Sequence, residues 1–125
     1  MTLVLDAGAL IAVERSDREV VALLKAERHA GRVPVTHGGV VGQVWRDGAR
    51  QAKLARLLAG VEIAPLDDAL GRRAGILLAR THTDDVLDAA LVLLTTDGDL
   101  IVTSDVSDLT TLAAAYGAHV EITPA

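Results

Sequence analysis

The chain has 125 residues, enough for one domain over residues 1–125, and its 17 acidic against 12 basic side chains argue against a broadly basic nucleic-acid-binding surface. It contains no cysteine, which excludes disulfides and thiolate metal sites, and its four histidines are scattered, so a bound metal is expected to be a hard cation with oxygen ligands. Half of the residues are apolar but only Trp45 and Tyr116 are aromatic, and we therefore expect a core of valine, leucine, isoleucine and alanine.

The first half of the chain alternates short aliphatic strands with amphipathic helices. The expected elements are a strand over residues 2–5, a helix from residue 7, a helix over residues 16–31, a strand over residues 33–36, helices over residues 38–47 and 51–59, and a strand over residues 61–64. Asp6 follows the first strand directly. Ser16 and Glu19 have the spacing of a capping box for the second helix. Gln43 and Arg46 are expected to share one face of the helix over residues 38–47.

The second half of the chain continues the alternation and carries most of the interesting acids. The expected elements are a helix capped by Asp67 or Asp68, a helix over residues 84–96, a strand over residues 100–103, a helix over residues 109–115 and a strand over residues 119–122. The helix over residues 84–96 has nothing polar between residues 89 and 94, so we expect it to be buried. Asp85 and Asp88 are placed in its first turns, three residues apart. Asp105 and Asp108 come just beyond the strand over residues 100–103.

Strands that alternate with helices throughout predict an α/β fold with a central parallel sheet of four or five strands. The first and fourth strands are wholly apolar, as central strands covered on both faces are, whereas Glu62 and Glu121 mark edge strands. The expected strand order is therefore 3-2-1-4-5. In such a sheet ligands bind where the winding direction reverses, beyond the carboxyl ends of the strands. Asp6 and Asp105 follow the two strands that meet there.

Each of these acids also has a purely structural explanation. An Asp after a strand often caps the following helix, and Asp85 or Asp88 in a first turn is favoured by the helix dipole. The combination favours a metal site, because Asp6 and Asp105 converge by topology with no Lys or Arg adjacent to them in sequence. Asp88 opens a buried helix, where a carboxylate is costly unless it is paired, faces a cleft or holds a cation.

Four segments contain these acids and their neighbours. In chain order they are Val4-Leu-Asp6-Ala-Gly-Ala-Leu10, Val40-Val-Gly-Gln-Val-Trp-Arg46, Asp88-Ala-Ala-Leu91, and Thr103-Ser-Asp105 with Asp108-Leu109. Together they resemble a PIN domain and, more closely, the VapC-type toxins of bacterial type II toxin–antitoxin pairs. The resemblance covers essentially the whole chain. It implies a three-layer α/β/α fold and an endoribonuclease that uses Mg²⁺ or Mn²⁺, held by three or four acids and usually inhibited by a cognate antitoxin.

The resemblance also implies roles for individual acids. Asp6, Asp88 and Asp105 match the first, third and fourth acids of the family and are the implied catalytic and metal-binding residues. Asp108 follows as an accessory acid at the metal site. The implied mechanism is metal-assisted hydrolysis of an RNA phosphodiester, with one or two cations, about 3.5–4 Å apart if there are two, activating a water and stabilising charge on the phosphate.

The chain departs from the family at the second acid. That acid is normally a glutamate on the third helix, and Gln43 stands at the matching position. A glutamine offers a carbonyl oxygen to a metal, but it removes one negative charge and cannot act as a base. Asp85, on the Asp88 face, is a candidate metal ligand that would restore the charge. The alternative is a catalytically weakened PIN-fold binding module that acts through RNA or a protein partner.

Three further residues are candidates for contacts around the acids. The hydroxyls of Thr103 and Ser104 can orient Asp105 or a phosphate, although Thr103 can equally well just end its strand. Arg46 is a candidate for contacting an RNA phosphate, and the competing interpretation is an exposed helical arginine. With so few aromatic residues, RNA is expected to be recognised by backbone and shape rather than by base stacking.

The expected partners follow from the resemblance alone and are an RNA substrate, a cognate antitoxin and a second copy of the chain. The apolar stripes of two helices, Val20, Val21 and Leu24 on one and Leu70 and Leu77 on the other, would either form a groove for an antitoxin helix or simply pack in the core. No signal peptide is evident, and no apolar run approaches the roughly 18 residues of a membrane span, so a cytoplasmic location without membrane contact is expected.

Overall fold

The computed structural model describes all 125 residues, and five strands form one parallel sheet. The strands are β1 (Leu3–Leu5), β2 (Val35–His37), β3 (Glu62–Ala64), β4 (Leu100–Thr103) and β5 (Glu121–Pro124). They lie in the order β3-β2-β1-β4-β5, which confirms the predicted strand order. β1 and β4 pair directly, with Val4 opposite Ile101, so the residues that follow both strands meet at one edge of the sheet.

Seven helices flank the sheet. They are α1 (Ala7–Glu14), α2 (Arg18–His29), α3 (Gly38–Val44), α4 (Ala52–Ala59), α5 (Asp68–Thr81), α6 (Val86–Leu93) and α7 (Val106–Tyr116). α1 packs against α2, α3 and α4, whereas α5, α6 and α7 pack against one another. Because parallel crossovers are right-handed, the reversal of winding after β3 puts the two groups on opposite faces of the sheet. The predicted three-layer α/β/α arrangement is therefore confirmed. None of the seven helices has both the length and the apolar character that crossing a membrane requires.

The core is aliphatic, as the composition predicted. All 22 hydrophobic residues of the buried core are leucine, valine, isoleucine or alanine. β1 is wholly buried, and residues 89–92 of α6 are buried as well, which confirms that this helix lies inside the protein. The aromatic side chains remain outside this core. Trp45 is 38% exposed, and Tyr116 is partly buried where it packs against the core.

Two helix boundaries in the first half differ from the predictions, because side chains other than the predicted ones cap the ends of these helices. α2 begins after Asp17, whose carboxylate accepts a hydrogen bond from the backbone N–H of Val20 (3.0 Å), so Ser16 is not the cap. α3 ends at Val44 instead of reaching residue 47. Arg46 therefore lies outside the helix, and the prediction that it shares a helical face with Gln43 is wrong.

Boundaries in the second half also move, and these bear on the acids. α6 begins at Val86 and ends at Leu93, so Asp85 is its N-cap and does not lie within a helical turn. α7 begins at Val106, three residues earlier than predicted, because Asp105 occupies the cap position and the helix starts directly after it. Both helices thus begin directly after a predicted site residue, α6 after Asp85 and α7 after Asp105.

Candidate active site

Asp6 is held by three hydrogen bonds at the end of β1. It is the N-cap of α1, and its Oδ1 accepts a hydrogen bond from the backbone N–H of Ala9 (3.1 Å). Its Oδ2 accepts hydrogen bonds from the hydroxyl of Thr103 and from the backbone N–H of Ser104 (3.3 Å). The residue is buried, so these bonds replace water around its carboxylate. Asp6 therefore ties the start of α1 to the end of β4.

Thr103 connects two of the predicted catalytic acids. Its fully buried hydroxyl donates to the carboxylate of Asp6 and accepts a hydrogen bond from the backbone N–H of Asp105 (2.8 Å). Both hydrogen-bonding capacities of the hydroxyl are thus used between the ends of β1 and β4. The sequence left open whether Thr103 orients Asp105 or a phosphate or simply ends its strand. Thr103 is the last residue of β4, and its hydroxyl contacts the backbone of Asp105 and the carboxylate of Asp6.

Three carboxylates gather next to this connection, and we call Asp88, Asp105 and Asp108 the acidic cluster. One carboxylate oxygen of each residue lies within 4.8 Å of those of the other two. Asp88 belongs to the first turn of α6, Asp105 caps α7 and Asp108 lies in the first turn of α7. Asp6 is not a member of the cluster. Its negative charge is nevertheless close enough to raise the pKa of Asp88.

The acidic cluster is electrostatically unfavourable by itself. Burial, followed by the charges of Asp85, Asp105, Asp6 and Asp108, raises the pKa of Asp88 from 3.8 to about 7. A hydrogen bond with Asp105 and the charge of that residue raise the pKa of Asp108 as well. The salt bridges of the chain all lie elsewhere, between Arg32 and Glu27, Arg50 and Asp47, and Arg72 and Asp68. No side-chain cation therefore offsets the repulsion among these acids.

Two members of the acidic cluster, Asp88 and Asp108, line a cleft of about 350 Å³. Its lining residues are His82, Thr83, Asp84, Asp85, Asp88, Asp108 and Leu112. Asp84 was not among the predicted site residues, although the pair Asp84-Asp85 before an apolar helix was visible in the sequence. Four of the seven lining residues are aspartates. The cleft therefore favours a cation, and it disfavours an anion unless a cation is bound with it.

Comparison with known proteins gives a likeness in fold. The chain matches no protein-family model and no curated protein sequence. Among solved structures it is similar to a chain of VapBC2 from Rickettsia felis, which was crystallised bound to a DNA fragment from its promoter. The two chains share 13% sequence identity over 98% of this chain and 99% of that chain, with a TM-score of 0.68. The protein has a PIN-like fold.

In this PIN-like fold, Asp85 and Ser104 have structural roles. Asp85 caps α6, and its Oδ1 accepts hydrogen bonds from the backbone N–H groups of Leu87 (3.0 Å) and Asp88 (3.1 Å). Ser104 is exposed and bonds to Asp6 through its backbone rather than its hydroxyl. A Cβ at Gly8 would lie 2.6 Å from both Cβ and Oγ of Ser104, so only glycine lets α1 approach this closely.

Gln43 and Arg46 lie at the C-terminal end of α3. The side chain of Gln43 is exposed and forms no hydrogen bond within the protein. The guanidinium of Arg46 donates to the backbone carbonyls of Gly42 (3.1 Å), Trp45 (2.7 Å) and Gln43 (3.2 Å). These bonds satisfy carbonyls that the end of α3 leaves without helical partners. Arg46 therefore has a structural role as a C-terminal cap, which its predicted place on a helical face did not suggest.

His37 was not predicted as a site residue, although its ring contacts the backbone of Leu87, the residue that precedes Asp88. It has no exposed surface and ends β2, where its ring contacts both the start of α3 and the carbonyl of Leu87 in α6. The sequence contained only a weak signal for the contact between His37 and Leu87, because the two residues are 50 positions apart. A histidine followed by two glycines indicated a helix start and nothing more.

Proposed function

We propose that this protein is a Mg²⁺- or Mn²⁺-dependent endoribonuclease and the toxin of a type II toxin–antitoxin pair. The observation that supports this most directly is the acidic cluster, which lies at the switch point of the sheet without a side-chain cation. The fold likeness to VapBC2 and the four matching sequence segments support the toxin role. The RNA substrate, the antitoxin, a homodimer and the cytoplasmic location all belong to this proposal.

The donor set fits a hard divalent cation. Carboxylate oxygens are the ligands that such cations prefer, and Asp88, Asp105 and Asp108 place three of them within 4.8 Å. A bound cation supplies the charge that activates a water and stabilises the phosphate during hydrolysis. Asp6 adds a further negative charge next to these three carboxylates. The hydroxyl of Thr103 holds the Asp6 carboxylate and the Asp105 backbone at a fixed separation.

Asp88 makes the proposed metal site sensitive to pH. With a pKa of about 7, its carboxyl group is about half protonated at neutral pH in the absence of metal. Binding a cation requires the deprotonated form, so metal affinity is expected to rise as the pH increases from 6 to about 8. Activity should rise over the same range, because the same carboxylate is needed in both cases.

Cleavage of a labelled RNA by the purified protein tests the proposal. We expect cleavage with Mg²⁺ or Mn²⁺, none with EDTA, and a loss of at least about 100-fold in Asp105→Asn. Glu62→Gln is the matched control, because it also removes one negative charge but lies exposed on the edge strand β3. Equal cleavage by Asp105→Asn and the control would contradict the proposal that this acid takes part in the cleavage.

The second candidate function is a binding module without cleavage, and Gln43 is the observation that favours it. An exposed glutamine without hydrogen bonds contributes no charge to a metal site. If this position reaches the metal, Gln43→Glu tightens Mn²⁺ binding in calorimetry, and an unchanged affinity shows that it does not. Metal-independent RNA binding by a protein that does not cleave RNA would establish the second function.

The proposed antitoxin has a suitable surface on the α1, α2 and α4 side of the protein. Two adjoining depressions of about 720 and 620 Å³ share Val13, Val21, Lys25 and Arg56, and no acidic residue lines either of them. The other basic residues around them are Arg18, Arg28, Arg32 and Lys53. Half of the 12 basic residues of an acidic chain therefore surround one groove with an apolar floor. An amphipathic helix with acidic residues is the antitoxin segment that fits it.

The apolar residues predicted to form this groove divide into two groups. Val21 and Leu24 line it, whereas Val20, Leu70 and Leu77 are buried in the core, so the groove does not involve α5. Co-expression with the product of an adjacent reading frame tests the assignment. We expect Arg56→Glu to prevent co-purification of the two proteins, and an equal loss in the control Arg80→Glu would contradict the placement.

A further inference from the structure

The corner between β2 and α3, residues 37–39, holds the first turn of α6 by a hydrogen bond. The ring Nε2 of His37 donates to the backbone carbonyl of Leu87 (2.8 Å), and its Nδ1 accepts from the backbone N–H groups of Gly39 (3.1 Å) and Val40 (3.3 Å). Burial lowers the pKa of His37, which keeps the ring neutral with one proton. Because two N–H groups point at Nδ1, that proton must be on Nε2.

The same corner also holds α6 by close packing. A Cβ at Gly39 would lie 2.5 Å from Cδ2 of Leu87 and 3.0 Å from Cε1 of His37, so the side chain of Leu87 fills the space above the glycine. Gly38, in the same turn of α3, is different. A Cβ there would meet only the backbone oxygen of Ala64, at 4.0 Å. Contact with α6 is therefore specific to one of the two adjacent glycines.

We propose that His37 is a positioning residue for the acidic cluster. Leu87 directly precedes Asp88, so a bond that fixes the Leu87 carbonyl also fixes the backbone from which the Asp88 carboxylate extends. Asp85 holds the N–H groups of the same turn. The turn is thus fixed from both sides, and Asp88 is kept near Asp105 despite their mutual repulsion. The inference rests on the proposed function only in taking metal binding as one of its readouts.

Two substitutions of His37 separate its two roles. In His37→Asn the side-chain oxygen stands where Nδ1 stands, so the α3 cap is kept and the bond to Leu87 is lost. In His37→Gln the side-chain nitrogen stands where Nε2 stands, so the bond to Leu87 is kept and the cap is lost. A purely structural role would make Mn²⁺ affinity follow thermal stability in both variants. A positioning role makes it follow the bond to Leu87.

The measurements are Mn²⁺ titration calorimetry, thermal unfolding and amide hydrogen exchange of residues 87–89 without metal. We expect His37→Asn to weaken Mn²⁺ binding about 10–100-fold, the range found when support of a metal ligand is lost, and to speed exchange in this turn. His37→Gln should stay within about threefold of the unaltered protein in both measurements. Equal Mn²⁺ affinity in the two variants, or affinities that rank with their melting temperatures alone, would overturn the proposal.

The glycine pair gives an independent test. Gly39→Ala should displace Leu87 and weaken Mn²⁺ binding, whereas Gly38→Ala should leave it unchanged, and equal effects of the two substitutions would count against the role of the corner. If the unaltered protein binds no Mn²⁺, the proposed nuclease function fails. The role of His37 is then decided by hydrogen exchange alone, because faster exchange of residues 87–89 in His37→Asn than in His37→Gln supports it and equal exchange refutes it.

Discussion

Asp88→Asn is expected to stabilise the metal-free protein while removing its response to metal. Asparagine has nearly the same shape, and the Asp88 side chain donates or accepts no hydrogen bond that the substitution would break. A pKa that rises from 3.8 to about 7 corresponds to roughly 4 kcal/mol of unfavourable free energy in the ionised, folded state, at about 1.4 kcal/mol per pKa unit. Because Asp88 is partly exposed, water and salt screen this repulsion, and we expect a gain of about 2 kcal/mol.

The sign of the pH dependence follows from the raised pKa of Asp88. Between pH 4 and 7 the folded protein binds more protons at Asp88 than the unfolded chain does, so the free energy of unfolding falls as the pH rises through this window. At pH 5 Asp88 is neutral in the folded protein but mostly ionised in the unfolded chain, so less than half of the full gain should appear. At pH 8 the full gain should appear, as a rise in melting temperature of about 8 °C at about 4 °C per kcal/mol.

Thermal unfolding followed by circular dichroism, with EDTA or with 10 mM Mg²⁺ at about pH 5 and about pH 8, measures both effects. Mg²⁺ should raise the melting temperature of the unaltered protein at pH 8, since a ligand that binds only the folded state stabilises it, and should raise that of Asp88→Asn much less. Glu62→Gln controls for loss of one charge. A lower melting temperature of Asp88→Asn in EDTA at pH 8, or an equal gain at both pH values, would refute the reasoning.

Two further substitutions, each with a control variant, test the contacts that hold the ends of β1 and β4 together next to the acids. Thr103→Val should cost about 1–3 kcal/mol of unfolding free energy in urea titrations, because it removes one of the two hydrogen bonds to Oδ2 of the buried Asp6 and leaves the backbone N–H of Asp105 without a partner, whereas Thr103→Ser should retain most of the stability. A loss in Thr103→Ser as large as that in Thr103→Val, or larger, would show that the hydroxyl contributes no more than the methyl group. Gly8→Ala should cost about 1–3 kcal/mol through overlap with Ser104, while Gly42→Ala, which meets no atom within 4 Å, should be neutral or stabilising. Similar unfolding free energies for these two variants would contradict the close approach of α1 to β4.

The sheet could be predicted because its signals are local and strong. β1 and β4 are short runs of aliphatic residues, and such runs are typical of central parallel strands. Glu62 and Glu121 marked the edges correctly. Once β1 and β4 were placed side by side, topology alone brought the residues that follow them to one edge. No knowledge of side-chain contacts was needed for that step.

The detailed site could not be predicted, because local and distant hydrogen bonds compete for the same groups. Asp6 stays a predicted metal ligand, but the hydrogen bonds that the start of α1 and Thr103 make to its two oxygens were not predicted. Arg46 was expected on a helical face, but the helix ends at Val44. The side chain of Gln51 accepts hydrogen bonds from the backbone of residues 46 and 47, and nothing in the local sequence announces that contact.

The position of the single tryptophan decides what intrinsic fluorescence can report. Trp45 is partly exposed, and its ring lies so close to Gly48 that a Cβ there would approach it to 2.8 Å. Its emission therefore senses the short connection between α3 and α4 and not the aliphatic interior. An emission change that precedes the loss of the far-ultraviolet helical signal would mark local opening of that connection. A ligand or partner protein that binds on this side of the molecule would be visible by quenching, without any introduced label.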